Sequence, residues 1–545
     1  MDKFWKSGDP YVWLTAGALC FSLLMVGGLI LLVAVNGLGF FWPSDIARVE
    51  LKNGQLYLGR ITAREVIPDF EADKGAVEKS RLQLKIGNRD LYGLDFKWID
   101  EADIASLTYP KNVVALERRQ WGDFYGFVKE LRVGGGGTPS AGAKNEWERL
   151  LTLVSSANDL HSRIKRIEKG DIGKINHEIE RAHLGIKTVK AEGGEETEKG
   201  RAKIAKLEEK IKEQEALYAE KEAELKDLYR RANRNHLLME TVGGREKDVP
   251  VGAIVRAAMP NSMGVMDKAV YYAGRVGEFL FADPREANTE GGVFPAIFGT
   301  VMMVMLMSVA VLPLGVIAAV YLSEYAKQGI LVQLVRISVN NLAGVPSIVF
   351  GVFGLGFFIY GIGGTLDKLF FSASLPTPTY GTGGILWASL TLALLTLPVV
   401  IVATEEGLAA VSKEIRHGSL ALGATKFETL KKIVIPAAMP GILTGLILAI
   451  SRATGEVAPL MITGVVKLAP ALPVDGVFPY IHLERKFMHL GFQIYDVGFQ
   501  SPNVEAAKPM VYATTLLLLL IVILLNIVAV IVRNRLRKRY ALDAF

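Results

Sequence analysis

The chain has 545 residues, half of them apolar, a formal charge of +6 and a single cysteine, Cys20. One cysteine excludes a disulfide framework and argues against a thiolate metal cluster; the modest charge does not suggest a nucleic-acid binder. The apolar residues concentrate in 9–44 and 291–532 with a charged stretch between them, which excludes one large soluble core.

Tyr11 to about Asn36 is long enough to cross the hydrocarbon, which takes about 20 residues. Lys3 and Lys6 precede it, and Phe40-Phe41-Trp42-Pro43 behind it suits an interfacial belt. The run is too long for a signal-peptide core and shows no clear small-x-small cleavage site, so a retained helix over 11–36 is expected.

Residues 45–290 read as a soluble insertion. Val49, Leu51, Leu56 and Leu58 alternate around Asn53-Gly54, a hairpin signal. Strand-like runs continue through 81–133 and return over 241–259, which together predict a β-rich platform (45–133 and 241–259). Gly134 to Gly137 with Thr-Pro-Ser reads as a linker. Over 145–240 the period becomes helical, from Leu153 through Ile186 and again from Ile204 to Leu228, with Ala191-Glu192-Gly193-Gly194 breaking it. Two long helices around a Gly-Gly turn predict an antiparallel coiled-coil hairpin, either a solvated structural arm or a docking arm for a partner.

With the five apolar runs beyond Gly291 the pattern predicts six spans, near 11–36, 294–322, 340–362, 384–404, 438–464 and 511–533. The loop between the fourth and fifth holds Lys413, Arg416, Lys426, Lys431 and Lys432, and the tail holds Arg533, Arg535, Arg537, Lys538 and Arg539. Both are expected to be cytoplasmic, together with residues 1–10 and the tail 536–545, which leaves the insertion outside. The expected fold class is an all-α polytopic membrane protein of six transmembrane helices, with an inserted α+β soluble domain that carries the coiled-coil hairpin.

No Walker A sequence, His-Glu-x-x-His pattern or nucleophile elbow is present, and His161, His177 and His183 fall on the expected coiled coil. The chain is therefore not expected to be an enzyme by itself, nor to hold a metal or cofactor. Two features remain. In the first, Glu405 and Glu406 follow Thr404, which suits the positive end of a helix. Leu408, Val411, Ile415 and Leu422 keep helical spacing until Gly423, and a second short helix over about 425–434 is expected to end at Pro436. This predicts a helix–turn–helix between two spans, or an interfacial amphipathic loop. The second feature is Arg452-Ala-Thr454-Gly-Glu456 inside an apolar run. At four-residue spacing Arg452 and Glu456 would share a helix face. The arginine fork can grip a tetrahedral oxyanion. The carboxylate can neutralise it when empty and can accept a proton that phosphate carries and sulfate lacks. A structural ion pair between spans is the plainer alternative, but ionisable groups at membrane depth favour function. Gly455 and Pro459 would loosen the helix and open backbone groups there.

At these residues the chain resembles a known family. LALGATKFETLKKIVIPAAMPGI is similar to the EAA loop of ABC-importer permeases, with Gly423 followed at the family's spacing by Ile433-Val-Ile435-Pro436. GILTGLILAISRATGEVAPL resembles the permeases of phosphate-specific transport systems, of the PstA type, as do the runs beginning FPAIFGTVMM and NNLAGVPSIV. The usual acidic-Ala-Ala motif is replaced by His417-Gly418-Ser419, and Ser412 stands where a proline often precedes the helix. The resemblance implies an ABC type I importer permease in the bacterial inner membrane. Its loop, with Glu405, Glu406, His417, Gly418, Ser419, Gly423, Ala424 and Pro436, would dock on an ATP-binding subunit dimer. Arg452, Thr454 and Glu456 would bind phosphate. A PstC-type permease subunit and a periplasmic phosphate-binding protein would be partners, and ATP would bind only in the separate subunits. A permease for sulfate or molybdate, and a non-transporting membrane scaffold or sensor, are the alternatives; Glu456 weighs against the first and the retained Arg452–Glu456 pair against the second.

Overall fold

A computed structural model of the chain describes residues 8–67, 80–134, 136–137, 143–501 and 504–542. They divide into two compact units, Met1–Phe40 with Val293–Phe545, and Phe41–Gly292. The first helix, α1, runs Asp9–Gly39 with Pro10 in its first turn, where a missing N–H costs nothing.

Among the described residues, the unit Phe41–Gly292 holds two larger antiparallel sheets and a two-stranded one, Pro284–Arg285 with Glu290–Gly291. β1 (Ala47–Leu51), β2 (Leu56–Val66), β3 (Ser80–Lys85), β4 (Phe96–Asp100) and β5 (Ile104–Thr108) lie in the order β4-β3-β2-β1-β5. Gly54, at φ 81°, makes the tight β1–β2 connection, a backbone state that glycine adopts without cost. Ala47, Val49, Leu51, Leu84, Ile86 and Ile99 form this sheet's core. The second sheet contains β6 (Val114–Arg118), β7 (Asp123–Val133), β8 (Gly136–Gly137), β9 (His236–Glu240), β10 (Glu246–Pro250) and β11 (Ile254–Ala258), in the order β10-β9-β7-β6-β11 with β8 on β7. Part of the linker expected over 134–140 lies outside the described residues.

Between β8 and β9 the chain makes three helices, α2 (Ala143–Arg166), α3 (Gly173–Ala191) and α4 (Glu198–Ala232), with a π turn over Ile167–Ile172 joining the first two. The chain reverses at Gly193, at φ 72°, and Thr197 caps α4 by accepting from Gly200 N–H at 3.1 Å. Ile164, Ile167, Leu228 and Ala232 pack where α2 meets the end of α4. Arg163–Glu224 (2.7 Å) and Glu178–Lys210 link the antiparallel helices at their surface. A further helix, α5 (Val265–Phe281), lies where the sequence analysis places no element.

The other unit continues with α6 (Phe294–Val320), α7 (Ile330–Leu342), α8 (Ser347–Phe353), α9 (Ile385–Ala409), α10 (Lys413–Ala421), α11 (Ile435–Gly455), α12 (Ala458–Thr463), α13 (Leu490–Tyr495) and α14 (Val504–Leu542). Among the described residues, six helical stretches are long and apolar enough to cross a membrane: Asp9–Gly39, Phe294–Tyr325, Ser347–Phe370, Ile385–Ala409, Lys426–Gly455 and Val504–Lys538. Three of these stretches differ from expectation. The third stretch starts at Ser347 rather than near 340, because Pro346 is held at ψ 135° and a helix can begin only behind it. The fifth occupies 426–455 rather than 438–464. Pro436 falls in the first turn of α11 rather than ending a helix, because the wider π turn Leu430–Val434 ahead of it absorbs the bond a proline cannot donate. The helix of the sixth runs on to Leu542, so the described part of the expected tail is helical.

α9 is the most enclosed of the six. Ile385, Leu392 and Val400 meet Met303, Met307 and Val311 of α6 and Ala449 and Ala453 of α11 in one apolar core. α9 and α11 cross at small residues: a Cβ added at Gly441 would lie 2.8 Å from Gly407 Cα, and one at Gly445 would lie 2.6 Å from Ala403 Cβ. Backbones this close leave no room for a side chain. Gly441→Val is expected to cost about 1–3 kcal/mol of overpacking, read as a lower melting temperature of the purified chain in detergent. Gly418→Ala, inside α10 where nothing lies within 4 Å, should not lower melting, because alanine is the better helix former there.

Candidate functional site

Arg452 stands in the last turn of α11, which ends at Gly455. Glu456 is not on that helix: it is the C-cap residue, in an extended conformation at φ −78°, ψ 133°. The expectation of a shared helix face is therefore corrected. The helix breaks because Val457 and Pro459 start a new short helix, α12, and Pro459 has no N–H to carry α11 onward. The break still brings the two charges together, with Arg452 Nε 3.7 Å from Glu456 Oε1. That is an ion pair longer than a hydrogen bond. Among the described residues the Arg452 guanidinium donates no hydrogen bond, so its planar fork of donors is not spent on the protein. Its side chain is 33% exposed and that of Glu456 20%, so both can meet a solute.

Thr454 is placed differently. It is fully buried, and its hydroxyl donates to the Ile450 carbonyl at 2.7 Å. The structure thus brings Arg452 and Glu456 together and turns Thr454 into the helix packing. Beside Arg452, Ser451 donates to Asn526 Oδ1 of α14 at 3.0 Å, tying the end of α11 to the last apolar helix.

Residues 405–436 form a second constellation. Glu405 and Glu406 are not at a helix start. They lie in the closing turns of α9, which runs to Ala409. Carboxylates near that negative end are unfavourable alone, and Arg336 of α7 answers one of them, with Nε 3.1 Å from Glu405 Oε1. Leu408 and Ile415 also fall on separate helices, because Ser412 opens α10 by capping Ile415 N–H at 3.4 Å. His417 and Gly418 are exposed on α10, whereas Ser419 is buried and shares a hydrogen bond with Thr429 Oγ1 at 2.9 Å. Gly423, at φ 88°, reverses the chain with Ala424 half-buried after it. Thr425 and Glu428 then cap the next helical turn reciprocally. Leu408, Val411, Leu430, Val434 and Ala438 close a small core beneath the loop.

Sequence reasoning missed the side chains that brace this loop. Arg416 pairs with Glu324 and donates to the Leu408 carbonyl, and Lys426 donates to the Glu324 carbonyl. Glu324 sits in the π turn Tyr321–Tyr325 that closes α6. Nothing in local spacing links Glu324 to Arg416, although both are charges at the edge of an apolar run.

A polar face near the break was missed as well. His489 caps α13, its Nδ1 accepting from Gly491 and Phe492 N–H at 3.1 and 3.4 Å, which leaves the ring proton on Nε2. His489, Gln493 and Asp496 are all buried, and Lys467 Nζ lies 2.9 Å from Asp496 Oδ2. α13 packs close to the break, since a Cβ at Gly491 would stand 2.9 Å from Val457 Cγ2. The spacing 489, 493, 496 in an otherwise apolar run is the signal that could have revealed this face. Among the described residues no group of three or more His, Cys, Asp or Glu could hold a metal ion.

Residues 311–540 match the family described as binding-protein-dependent transport system inner membrane component. With the six apolar helices among the described residues, this makes the chain a multi-pass inner-membrane protein. Similar proteins include phosphate transport system permease protein PstA 1 of Mycobacterium tuberculosis, 39% identical over 172 residues, or 32% of this chain and 51% of that one. The PstA protein of Yersinia pestis is 34% identical over 186 residues, 34% of this chain and 57% of its own length. A probable ABC transporter permease protein of Bacillus subtilis, YqgH, is 31% identical over 203 residues, 36% and 62%. The chain thus spans about half the length of the curated relatives it matches.

Proposed function

We propose, taking residues 311–540 as a permease domain of the binding-protein-dependent transport family, that this chain is the membrane subunit of an ATP-binding-cassette importer for inorganic phosphate. The observation that carries the reading is the Arg452–Glu456 pair: an arginine with an unspent fork, at the end of an apolar helix, 3.7 Å from a carboxylate. The guanidinium spends none of its hydrogen bonds on the described residues. A pair held apart leaves room for an anion to take the donors.

The Arg452 fork offers two parallel N–H donors to phosphate oxygens. Glu456 Oε1 accepts the proton of a P–OH group and holds the guanidinium when no anion is bound. The break at Gly455–Val457 supplies freed backbone groups and a hinge beside the site. Force enters through the loop 405–436, which docks on a separate ATP-binding subunit by its exposed Glu406, His417 and Gly418. Gly423 and the capped turn at Thr425 set its shape. The loop and the tail lie on the cytoplasmic side, the insertion of α+β structure with its coiled-coil hairpin outside. A second permease subunit completes the pathway, and a periplasmic phosphate-binding protein delivers the anion. Closure of the ATP-binding subunits moves α9 and α11 between outward-open and inward-open arrangements.

Phosphate uptake by the assembled complex in liposomes, with sulfate as competitor, tests this reading. Wild-type uptake should be little affected by sulfate, because a carboxylate repels an anion that has no proton to share. Glu456→Gln removes that repulsion, so sulfate should compete about tenfold better, the effect of ~1.4 kcal/mol. Equal competition in both proteins would remove the role given to Glu456, and no phosphate uptake by the wild type would remove the reading as a whole.

A further inference from the structure

α5 is turned inside out. Along Val265–Phe281 Lys268, Tyr271, Tyr272 and Glu278 face their own unit, while Asp267 caps the helix start by accepting from Gly264 N–H. Lys268 pairs with Asp45 at 2.7 Å, Glu278 pairs with Arg256 at 2.8 Å, and the Arg256 guanidinium lies 5.0 Å from the Tyr271 ring centre. Val265, Met266, Ala269, Val270, Ala273 and Phe281 point outward and are exposed, Met266 to 77% and Val270 to 69%. Their spacing makes one continuous apolar stripe on the helix. A helix at a water-facing surface has the opposite arrangement, and a stripe of this kind marks a surface that something apolar covers.

The chain itself says what is close by. α1 ends at Gly39, and the residues that follow it, Phe41 and Trp42, pack on α5: Phe41 lies 5.1 Å from Phe279 and 6.1 Å from Tyr272, and Trp42 lies 6.0 Å from Tyr272, between ring centres. At its other end α5 stops at Phe281, and the next apolar stretch begins at Phe294. α5 is therefore strapped, through an aromatic cluster, to the point where one membrane span ends and lies shortly before the next begins. Trp and Tyr at such a point are the residues that favour the headgroup level.

We propose that α5 is an interfacial helix whose apolar stripe lies in the lipid surface at the end of the first span. The occupant is lipid, because the aromatic strap makes α5 continuous with the membrane boundary and because the stripe carries no charge with which to select a protein partner. A helix of this polarity lies in the plane of the interface, apolar side down. It would anchor the base of the insertion independently of whichever solute the permease domain carries.

The test uses the full chain in liposomes of phosphatidylethanolamine and phosphatidylglycerol. With Cys20→Ser, which removes the one native cysteine, nitroxide labels are placed through Met266→Cys, Val270→Cys and Ala273→Cys. Leu24→Cys in α1 serves as the lipid reference and Lys212→Cys in α4 as the water reference, both exposed positions. The three α5 labels are expected to match Leu24 in their ratio of oxygen to nickel-chelate accessibility. A ratio matching Lys212 would show water on this face, and loss of accessibility to both reagents would show a second copy or a partner protein on it; either result overturns the proposal. The unlabelled chain, cross-linked with a photoactivatable phospholipid in the same liposomes, should carry adducts within 265–281, and their absence would overturn it without any substitution in α5.

Discussion

Arg452→Gln is expected to abolish phosphate uptake by the assembled complex while leaving the chain in the membrane at its normal level. Glutamine keeps much of the length and polarity but loses the charge and the planar fork. Two charge-assisted hydrogen bonds at about 1.5–3 kcal/mol each are lost, so uptake should fall by at least about a hundredfold, the effect of ~2.7 kcal/mol. The fold should tolerate the change, because the Arg452 guanidinium makes no hydrogen bond among the described residues and its link to Glu456 is 3.7 Å long. Arg452→Lys separates charge from geometry: it keeps the charge without the fork and should recover only part of the uptake. Melting temperature in detergent and membrane abundance are read alongside. Normal uptake by Arg452→Gln would remove the site assignment. A large drop in melting temperature would instead mark Arg452 as a structural residue.

The six apolar helices were legible because each holds a long run poor in charge, and the hydrocarbon thickness translates directly into run length. Their ends were less so. Pro436 reads as a terminator by its chemistry, but a π turn just before it lets the helix pass, and no local rule announces that turn. Glu405 and Glu406 read as a helix start because acidic residues favour that end. They are tolerated at the opposite end, where Arg336, 69 residues away in sequence, pairs with Glu405. The Arg452–Glu456 pair was visible as two charges in an apolar run. Its geometry was not, since a four-residue spacing implies a shared helix face only while the helix continues, and here it stops at Gly455. α5 escaped because its apolar positions are interleaved with Tyr, Lys and Arg that read as surface and turn out to face inward. For Glu405 and for α5 the deciding partner was distant in sequence; for Pro436 and Glu456 it was a local change of helix geometry that composition does not announce.

Glu324→Gln is expected to uncouple ATP hydrolysis from transport in the assembled complex. Arg416 gathers three elements at one point: it pairs with Glu324 in the turn closing α6, donates to the Leu408 carbonyl near the end of α9, and belongs to α10. Leu408 is in the last turn of α9, whose carbonyls have no partner within the helix, so the guanidinium also completes that helix end. The two side chains are only 21% and 13% exposed, which limits screening by water. Removing one charge leaves the other poorly solvated at a cost of about 1–3 kcal/mol. That is enough to let α10 shift against α6 by changing the population of the braced state about tenfold to a hundredfold. On the proposed reading, a loop that moves without its brace still engages an ATP-binding subunit but no longer carries α6 and α9 with it. The ratio of phosphate transported to ATP hydrolysed should therefore fall while hydrolysis persists. A double-mutant cycle with Arg416→Ala and Glu324→Ala, read on melting temperature and on that ratio, should show the pair to be non-additive, because the second substitution removes nothing the first has not already broken. Additive effects would show two independent contacts rather than one brace. Loss of hydrolysis and transport together, with melting unchanged, would mean that Glu324 acts in docking itself and not in passing the motion on.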